Sequence, residues 1–447
     1  MRRLRKRIAW LPVVLLASWF GSIARGQTTA PPAAPGRSQA VAPVITVDHG
    51  PNTPEQRTKS YVVLVSMDGF RYDYPKRYGA PHLLDLAAKG ASAPEGMIPS
   101  YPSITFPNHV TLVTGLYPEH HGIVANTFYD PARKEVYNSR DPQTVTDGSW
   151  YGGTPLWVLA EQQGMRAACF FWVGSEAEIQ GTRPSFYVKY DKSFPNEKRV
   201  TQVLEWLRLP AESRPHFITL YFSDVDSAGH AFGPESPQVA AAVAMLDEQI
   251  GRLMAGIAEL KLPVDVIVLS DHGMAKVEGP PIYLDAYGLR PEWFERTVGP
   301  NLYAKSEADA QAAYEALRGK NGKFQVYRRA QVPGHLHFTS NPREGDPVIV
   351  PTGPSLIAAA ADAQKTAAPP LGEHGYDPSS MPEMKAIFFA VGPDIRRGVT
   401  VPPFENVHVY PLVARILGLD FAHLKTGPID GRLEVLEKIF MERKSNR

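Results

Sequence analysis

The chain has 447 residues, enough for a large core with room for an insertion. Apolar residues make up 43% and charged residues 21%, a balance that excludes a disordered or fibrous chain. The net charge is +1 and no basic run occurs beyond the extreme N-terminus, so no stable nucleic-acid partner is expected.

At the N-terminus, Arg2, Arg3, Arg5, Lys6 and Arg7 precede an apolar stretch from Ile8 to Phe20, followed by small residues around Ser22, Ala24 and Gly26. That is the order of a secretory signal peptide over residues 1–26. The apolar stretch is short for a membrane span. The mature chain is therefore expected to be secreted or periplasmic without a span, an uncleaved anchor being the alternative. The Arg2-Arg3 pair leaves general and twin-arginine export both open. Residues 27–57 are rich in Pro, Ala, Thr and Gly and read as a disordered linker, with order beginning near Lys59 and the main domain over 58–447. Cys169 is the single cysteine, so there is no internal disulfide framework. Its apolar surroundings read it as a small buried hydrophobe.

Tyr61–Val65 is a short, mostly β-branched apolar run that ends at Ser66-Met67-Asp68-Gly69 and reads as a buried strand. His216–Phe222, Val264–Leu269 and Ala386–Val391 read the same way. Val239, Val243, Leu246, Ile250, Leu253 and Ile257 recur at spacings that share one helix face. Pro81–Ala88 and Pro155–Gln163 predict shorter helices closed by Gly90 and Gly164, and Val110–Gly115 predicts another. Phe170, Phe171 and Trp172 read as core. Continuous apolar strands alternating with helices predict the α/β class: a doubly wound, mainly parallel sheet with helices on both faces. Residues 276–345 break this rhythm and predict a small inserted cap beside the site.

Polar residues come directly after the strands. Asp68 follows the first; Asp224 and Asp226 follow the second, with His230 four residues on; Asp271 and His272 follow the third. Ligands of open α/β sheets bind at the carboxyl ends of the strands, so separate strands deliver these groups to one edge. His374 adds an imidazole from Gly372-Glu373-His374-Gly375, just before the fourth strand. Asp68, Asp226, Asp271, His230, His272 and His374 together suit two divalent metals with mixed nitrogen and oxygen ligands, a set that favours zinc. Thr105 lies just before the predicted helix at Val110. It is either a hydroxyl placed where helix N–H groups attract an anion, or simply an N-cap.

Taken together, Met67-Asp68-Gly69-Phe70-Arg71, Thr105-Phe106-Pro107-Asn108-His109, the run Gly115–Ile123, Asp226-Ser-Ala-Gly-His230, Asp271-His272-Gly273-Met274 and His374-Gly375 resemble the nucleotide pyrophosphatase/phosphodiesterases of the alkaline phosphatase superfamily. The resemblance spans about residues 60 to 435. It implies an alkaline phosphatase-like catalytic domain over 58–447. It also implies one zinc held by Asp226, His230 and His374, and a second held by Asp68, Asp271, His272 and the nucleophile Thr105. Asn126 is implied as a donor to a phosphate oxygen, and Phe106, Tyr221 and Tyr190 as pocket walls. The implied partner is a small phosphodiester or nucleotide. His109, His120 and His121 read as structural, Asp224 as a residue that orients a ligand, and Arg71 and Lys189 as possible substrate contacts. A phosphomonoesterase or phosphonate hydrolase of the same superfamily is the nearest rival, and a non-catalytic metal-binding protein a more distant one.

Overall fold

A computed structural model describes residues 43–360, 369–422, 424 and 426–441. The expected signal peptide and the linker as far as residue 42 lie outside them. Strand β1 is Ile45–Thr46 and β2 is Tyr61–Met67. Helix α1 (Pro81–Lys89) leads to β3 (Ala91–Ser92), then α2 (Thr105–Thr114) and α3 (Leu156–Gln162). Strands β4 (Ala167–Phe170) and β5 (Phe186–Val188) precede α4 (Asn196–Arg208). β6 (Phe217–Phe222) runs into α5 (Asp224–Phe232) and α6 (Pro237–Leu260), then β7 (Val264–Leu269). β8 (Phe388–Val391), β9 (Val399–Thr400) and α7 (Val409–Leu417) complete the main domain.

The nine strands form one sheet, ordered β1-β5-β4-β6-β2-β7-β8-β3-β9 among the described residues. Its centre is parallel: β6 and β7 flank β2, and β4 pairs β5 and β6, all in parallel. β8 runs antiparallel to both β7 and β3, so the sheet is mixed toward one edge. Successive side chains of β2 point to opposite faces. Val62 and Leu64 pack with α2, α3 and α7, whereas Val63 and Val65 pack with α1, α4 and α6. Both faces are thus covered, as the apolar strands predict, and each fully buried Val or Leu stabilises the fold by roughly 1.5–3 kcal/mol.

Two expectations change. Residues 43–57 are not an unstructured linker: Ile45 and Thr46 pair with Tyr187 and Phe186, and Val47 N–H donates to the Ser185 carbonyl. The segment expected as a cap holds its own hydrophobic cluster over residues 282–359, including Leu284, Phe294, Leu302 and Leu317. It packs on the hairpin Thr127–Asp130/Glu135–Asn138, where Tyr129 N–H donates to the Tyr303 hydroxyl oxygen and Arg343 pairs with Asp130 at 2.8 Å. That hairpin carries Asn126 at its base, where Ser139 N–H donates to the Asn126 carbonyl.

Candidate active site

The carboxyl end of the sheet gathers every metal-ligand candidate. Asp68 leaves β2 and Gly69 comes next at φ +67, a left-handed turn that suits glycine. A Cβ on Gly69 would lie 2.8 Å from the Asp226 Cα, so the missing side chain lets α5 approach. Asp226 N–H then donates to the Asp68 carbonyl at 3.1 Å, tying the start of α5 to the end of β2. Four residues apart on α5, Asp226 and His230 share one face, with Oδ1 and Nε2 3.3 Å apart. His374 Nε2 lies 3.7 Å from the same oxygen. His272 Nε2 lies 3.0 Å from Asp271 Oδ2, 3.4 Å from Asp68 Oδ1 and 3.2 Å from Thr105 Oγ1.

The three imidazoles are oriented alike. His230 Nδ1 meets the Gly372 carbonyl at 2.8 Å, His272 Nδ1 that of Gly273 at 2.9 Å, and His374 Nδ1 that of Ser103 at 3.0 Å. Each Nδ1–H donates to backbone, which leaves each Nε2 lone pair facing the site, the usual arrangement of metal-bound histidine. Asp68 Oδ1, Asp226 Oδ1 and Asp271 Oδ2 are buried without a hydrogen-bond partner among the described residues. Orphaned buried carboxylate oxygens are costly, and these three all face imidazole nitrogens. The donor set therefore fits divalent metal. Groups of ligand atoms close enough for one ion are Asp226/His230/His374, Asp68/Asp226/His272 and Asp68/His109/Asp271. In the last, both His109 nitrogens are committed, Nε2 to Ser66 Oγ at 2.9 Å and Nδ1 to the Thr105 carbonyl at 2.9 Å. His109 is thus a structural brace that ties α2 to Ser66 of β2.

Thr105 is the first residue of α2, not its N-cap, and its side chain makes no capping bond. Its hydroxyl is left to the site. Beside it opens a cavity of about 550 Å³ walled by Phe106, Phe171, Trp172, Tyr190 and Tyr221, with Asn126, Ser139, Arg140, Glu176 and Lys192 as polar lining. Asn126 Oδ1 accepts from Phe106 N–H at 2.9 Å, so its amide NH₂ is turned toward the opening. Tyr221 hydroxyl donates to Asp68 Oδ2 at 2.5 Å.

The sequence profile described as type I phosphodiesterase / nucleotide pyrophosphatase matches residues 62–377. The chain belongs to that family. An uncharacterized pyrophosphatase/phosphodiesterase of Schizosaccharomyces pombe is 36% identical over 84% of this chain and 80% of its own. Human ectonucleotide pyrophosphatase/phosphodiesterase family member 1 is 36% identical over 80% of this chain, and Naja atra venom phosphodiesterase 36% over 85%. The chain spans less than half the length of these last two, 40% and 46%. The structure of murine ectonucleotide pyrophosphatase / phosphodiesterase 5 superposes with a TM-score of 0.78 at 29% identity, covering 86% of this chain and all of that one. The fold is thus that of the alkaline phosphatase superfamily, and the chain is an enzyme of the phosphodiesterase family. Among the described residues no helix is long and apolar enough to cross a membrane.

Without metal, this family member's site balances charge with protons. Burial and the charges of Asp271 and Asp226 push Asp68 well up. Burial would pull His272 down, but Asp271 and Asp68 lift it to about 10. His230 likewise rises to about 9 against its burial, through Asp226 and Glu373. His374 falls to about 3 through burial and the neighbouring His272.

The structure corrects several expectations. Arg71 is buried and paired to Asp73 at 2.6 Å, away from the cavity. Asp224 accepts from Asn196 at 2.9 Å rather than orienting a ligand. Phe171 and Trp172 wall the cavity rather than fill the core alone, and Lys192, not Lys189, lines it. No residue of 276–345 lines the cavity. His121 is buried against Thr111, and His120 is exposed beside Asp430, both structural as expected. Cys169 is buried on β4.

Proposed function

We propose that the chain hydrolyses phosphodiester or pyrophosphate bonds of nucleotides through a phospho-threonine intermediate on Thr105. The observation that carries this reading is the Thr105 hydroxyl 3.2 Å from His272 Nε2, beside three orphaned carboxylate oxygens and an aromatic cavity. Two zinc ions are the proposed cofactors, one at Asp226, His230 and His374, the other at Asp68, Asp271, His272 and Thr105. When bound, zinc would lower the pKa of the Thr105 hydroxyl and offset charge on the leaving oxygen.

The chain's own groups account for the rest. Thr105 Oγ attacks phosphorus and displaces an alcohol or nucleoside phosphate; water then releases the phosphoryl group from Thr105. Asn126, fixed by its bond from Phe106 N–H, presents its NH₂ to a non-bridging oxygen. The Thr105 N–H opens α2, where no intrahelical acceptor exists, and is free to serve as a second donor. Phe106, Tyr190 and Tyr221 hold the base of the retained nucleotide; a cavity of about 550 Å³ suits a ligand of that size. The murine relative was also solved as an inactive threonine-to-alanine variant in complex with AMP, which supports a nucleotide here. Replacing Asn126 by Ala is expected to lower kcat about 10²- to 10³-fold with little change in KM, as for loss of one oxyanion donor. Steady-state kinetics on a chromogenic nucleotide ester check this.

Arg140 and Lys192 line the cavity, and extra cations favour the doubly charged phosphoryl group of a monoester. A phosphomonoesterase is therefore the second reading. The discriminating measurement compares kcat/KM for the nitrophenyl ester of thymidine monophosphate with that for nitrophenyl phosphate. A preference of roughly 100-fold or more for the diester is expected, since apolar walls bind the second substituent. Preference for the monoester would overturn the diesterase reading and keep Thr105. Export, to the periplasm or outside the cell, is the proposed location on the strength of the N-terminal pattern at residues 1–26.

A further inference from the structure

Behind the aromatic wall sits a buried cation. Arg199, in the first turn of α4, is 2% exposed. Among the described residues its partners are carbonyls and rings, not a carboxylate at ion-pair distance. Nη1 donates to the Tyr221 carbonyl at 2.9 Å. Nη2 donates to the Phe194 carbonyl at 2.8 Å and Nε to the same oxygen at 3.1 Å, while Lys192 O lies 3.5 Å from Nη2. The guanidinium carbon lies 5.0 Å from the Phe171 ring centre and 5.7 Å from that of Phe222. Removing a cation from water is costly, and only a planar fork of donors meets carbonyls on two separate segments at once.

Those segments carry the cavity wall. Tyr221 lies at the end of β6, and the loop leading to Phe194 bears Tyr190 and Lys192. Tyr190 is half exposed, with its ring 5.2 Å from Phe171 and 6.1 Å from Tyr221. Its N–H also anchors the loop, donating to Glu176 Oε1 at 2.8 Å. Phe171 has φ +58, a left-handed conformation that a non-glycine residue keeps only where packing holds it. Arg199 thus ties the Tyr221 strand end, the Tyr190 loop and the strained Phe171 into one unit.

We infer that Arg199 is a positioning residue for the aromatic wall, setting how tightly the enzyme holds an aromatic base on the retained half of its substrate. This rests on the nucleotide reading of the cavity. Arg199 touches neither the reacting atoms nor a ligand candidate. Its one link toward them runs through the Tyr221 backbone, whose side chain bonds Asp68, whereas its links to the Tyr190 loop and Phe171 bear on the base alone, so its loss acts first on binding.

The test uses Arg199→Met and Arg199→Lys in the full chain. Two substrates are compared: the nitrophenyl ester of thymidine monophosphate, and methyl nitrophenyl phosphate, which has no base. Thymidine monophosphate binding is measured alongside by calorimetry. Arg199→Met is expected to raise KM for the nucleoside ester and Kd for the nucleotide by about tenfold or more, leaving the methyl ester within about threefold. Arg199→Lys, which keeps the charge but not the fork, falls between. Equal losses on both esters, or unchanged nucleotide affinity, would overturn the inference. Should Arg199→Met fail to fold, Arg199→Lys decides by the same readouts. If the wild type hydrolyses neither ester, the diesterase reading falls, and the Kd series still decides the role of Arg199.

Discussion

Thr105→Ala is expected to lower kcat/KM for a nucleotide diester by roughly 10⁴-fold or more, the scale seen when a catalytic nucleophile is removed. Everything else should survive. The six other ligand candidates are untouched, so zinc content should equal that of the wild type. The Thr105 side chain makes no capping bond and only begins α2, so the melting temperature should move by no more than about 2 °C. Thymidine monophosphate should still bind, because Phe106, Tyr190 and Tyr221 remain. Thr105→Ser keeps a hydroxyl at the same place and should retain far more activity than Ala. Metal analysis, thermal melting and initial rates on the same preparations separate these outcomes. Activity of Thr105→Ala within tenfold of wild type would mean that water attacks phosphorus directly, and the phospho-threonine step would fall.

The residues gathered at this site were legible to different degrees, for physical reasons. Asp68, Asp226, Asp271 and His272 could be read because a buried parallel strand is a plain apolar run, and the polar residues just past its carboxyl end must face the ligand edge. His230 could be read from its helical spacing to Asp226. The direction of β8 could not, because an apolar run carries no sign of parallel or antiparallel pairing. The edge strand Ile45–Thr46 was hidden for a related reason. Its two residues gain order from pairing with β5, a partner far along the chain, and from Ile45 packing on the core. Phe171 and Trp172 are buried core residues, as read, but their second role as cavity wall was hidden. β4 ends at Phe170, and the backbone turns at Phe171 into a positive φ that no apolar run announces. Arg199 was illegible as well. A lone arginine near a helix start reads as a solvated side chain, and only the fold reveals the carbonyls that converge on it.

Stripping the metal should both abolish activity and destabilise the chain, and the second effect should grow with pH. In the stripped protein His230 and His272 hold protons with pKa values of about 9 and about 10, because they face Asp226, Asp271 and Asp68. A group whose folded pKa is raised contributes stability that is present below its unfolded value, about 6.5 for histidine, and lost as pH rises through the folded value. Asp68, also raised, acts in the same sense from its lower starting point. Metal binding displaces the imidazole protons, so the loaded protein does not suffer this loss. Seen from the metal, the same linkage is proton competition: below each imidazole pKa, metal binding strengthens by up to about tenfold per proton for each unit that the pH rises. Metal at a thousand times its Kd adds about 4 kcal/mol per site, so a melting gap of at least about 5 °C is expected near neutral pH. That gap should widen between about pH 6.5 and about pH 9. Asp265 and Glu344 are also buried acids raised to about 8, but they lie outside the ligand set and titrate in both forms, so they cancel from the difference. Thermal melts of zinc-loaded and chelator-stripped protein across that range test the point. A gap that is constant or narrows as pH rises would mean that the carboxylates and imidazoles gathered at the end of β2, β6 and β7 do not hold the metal.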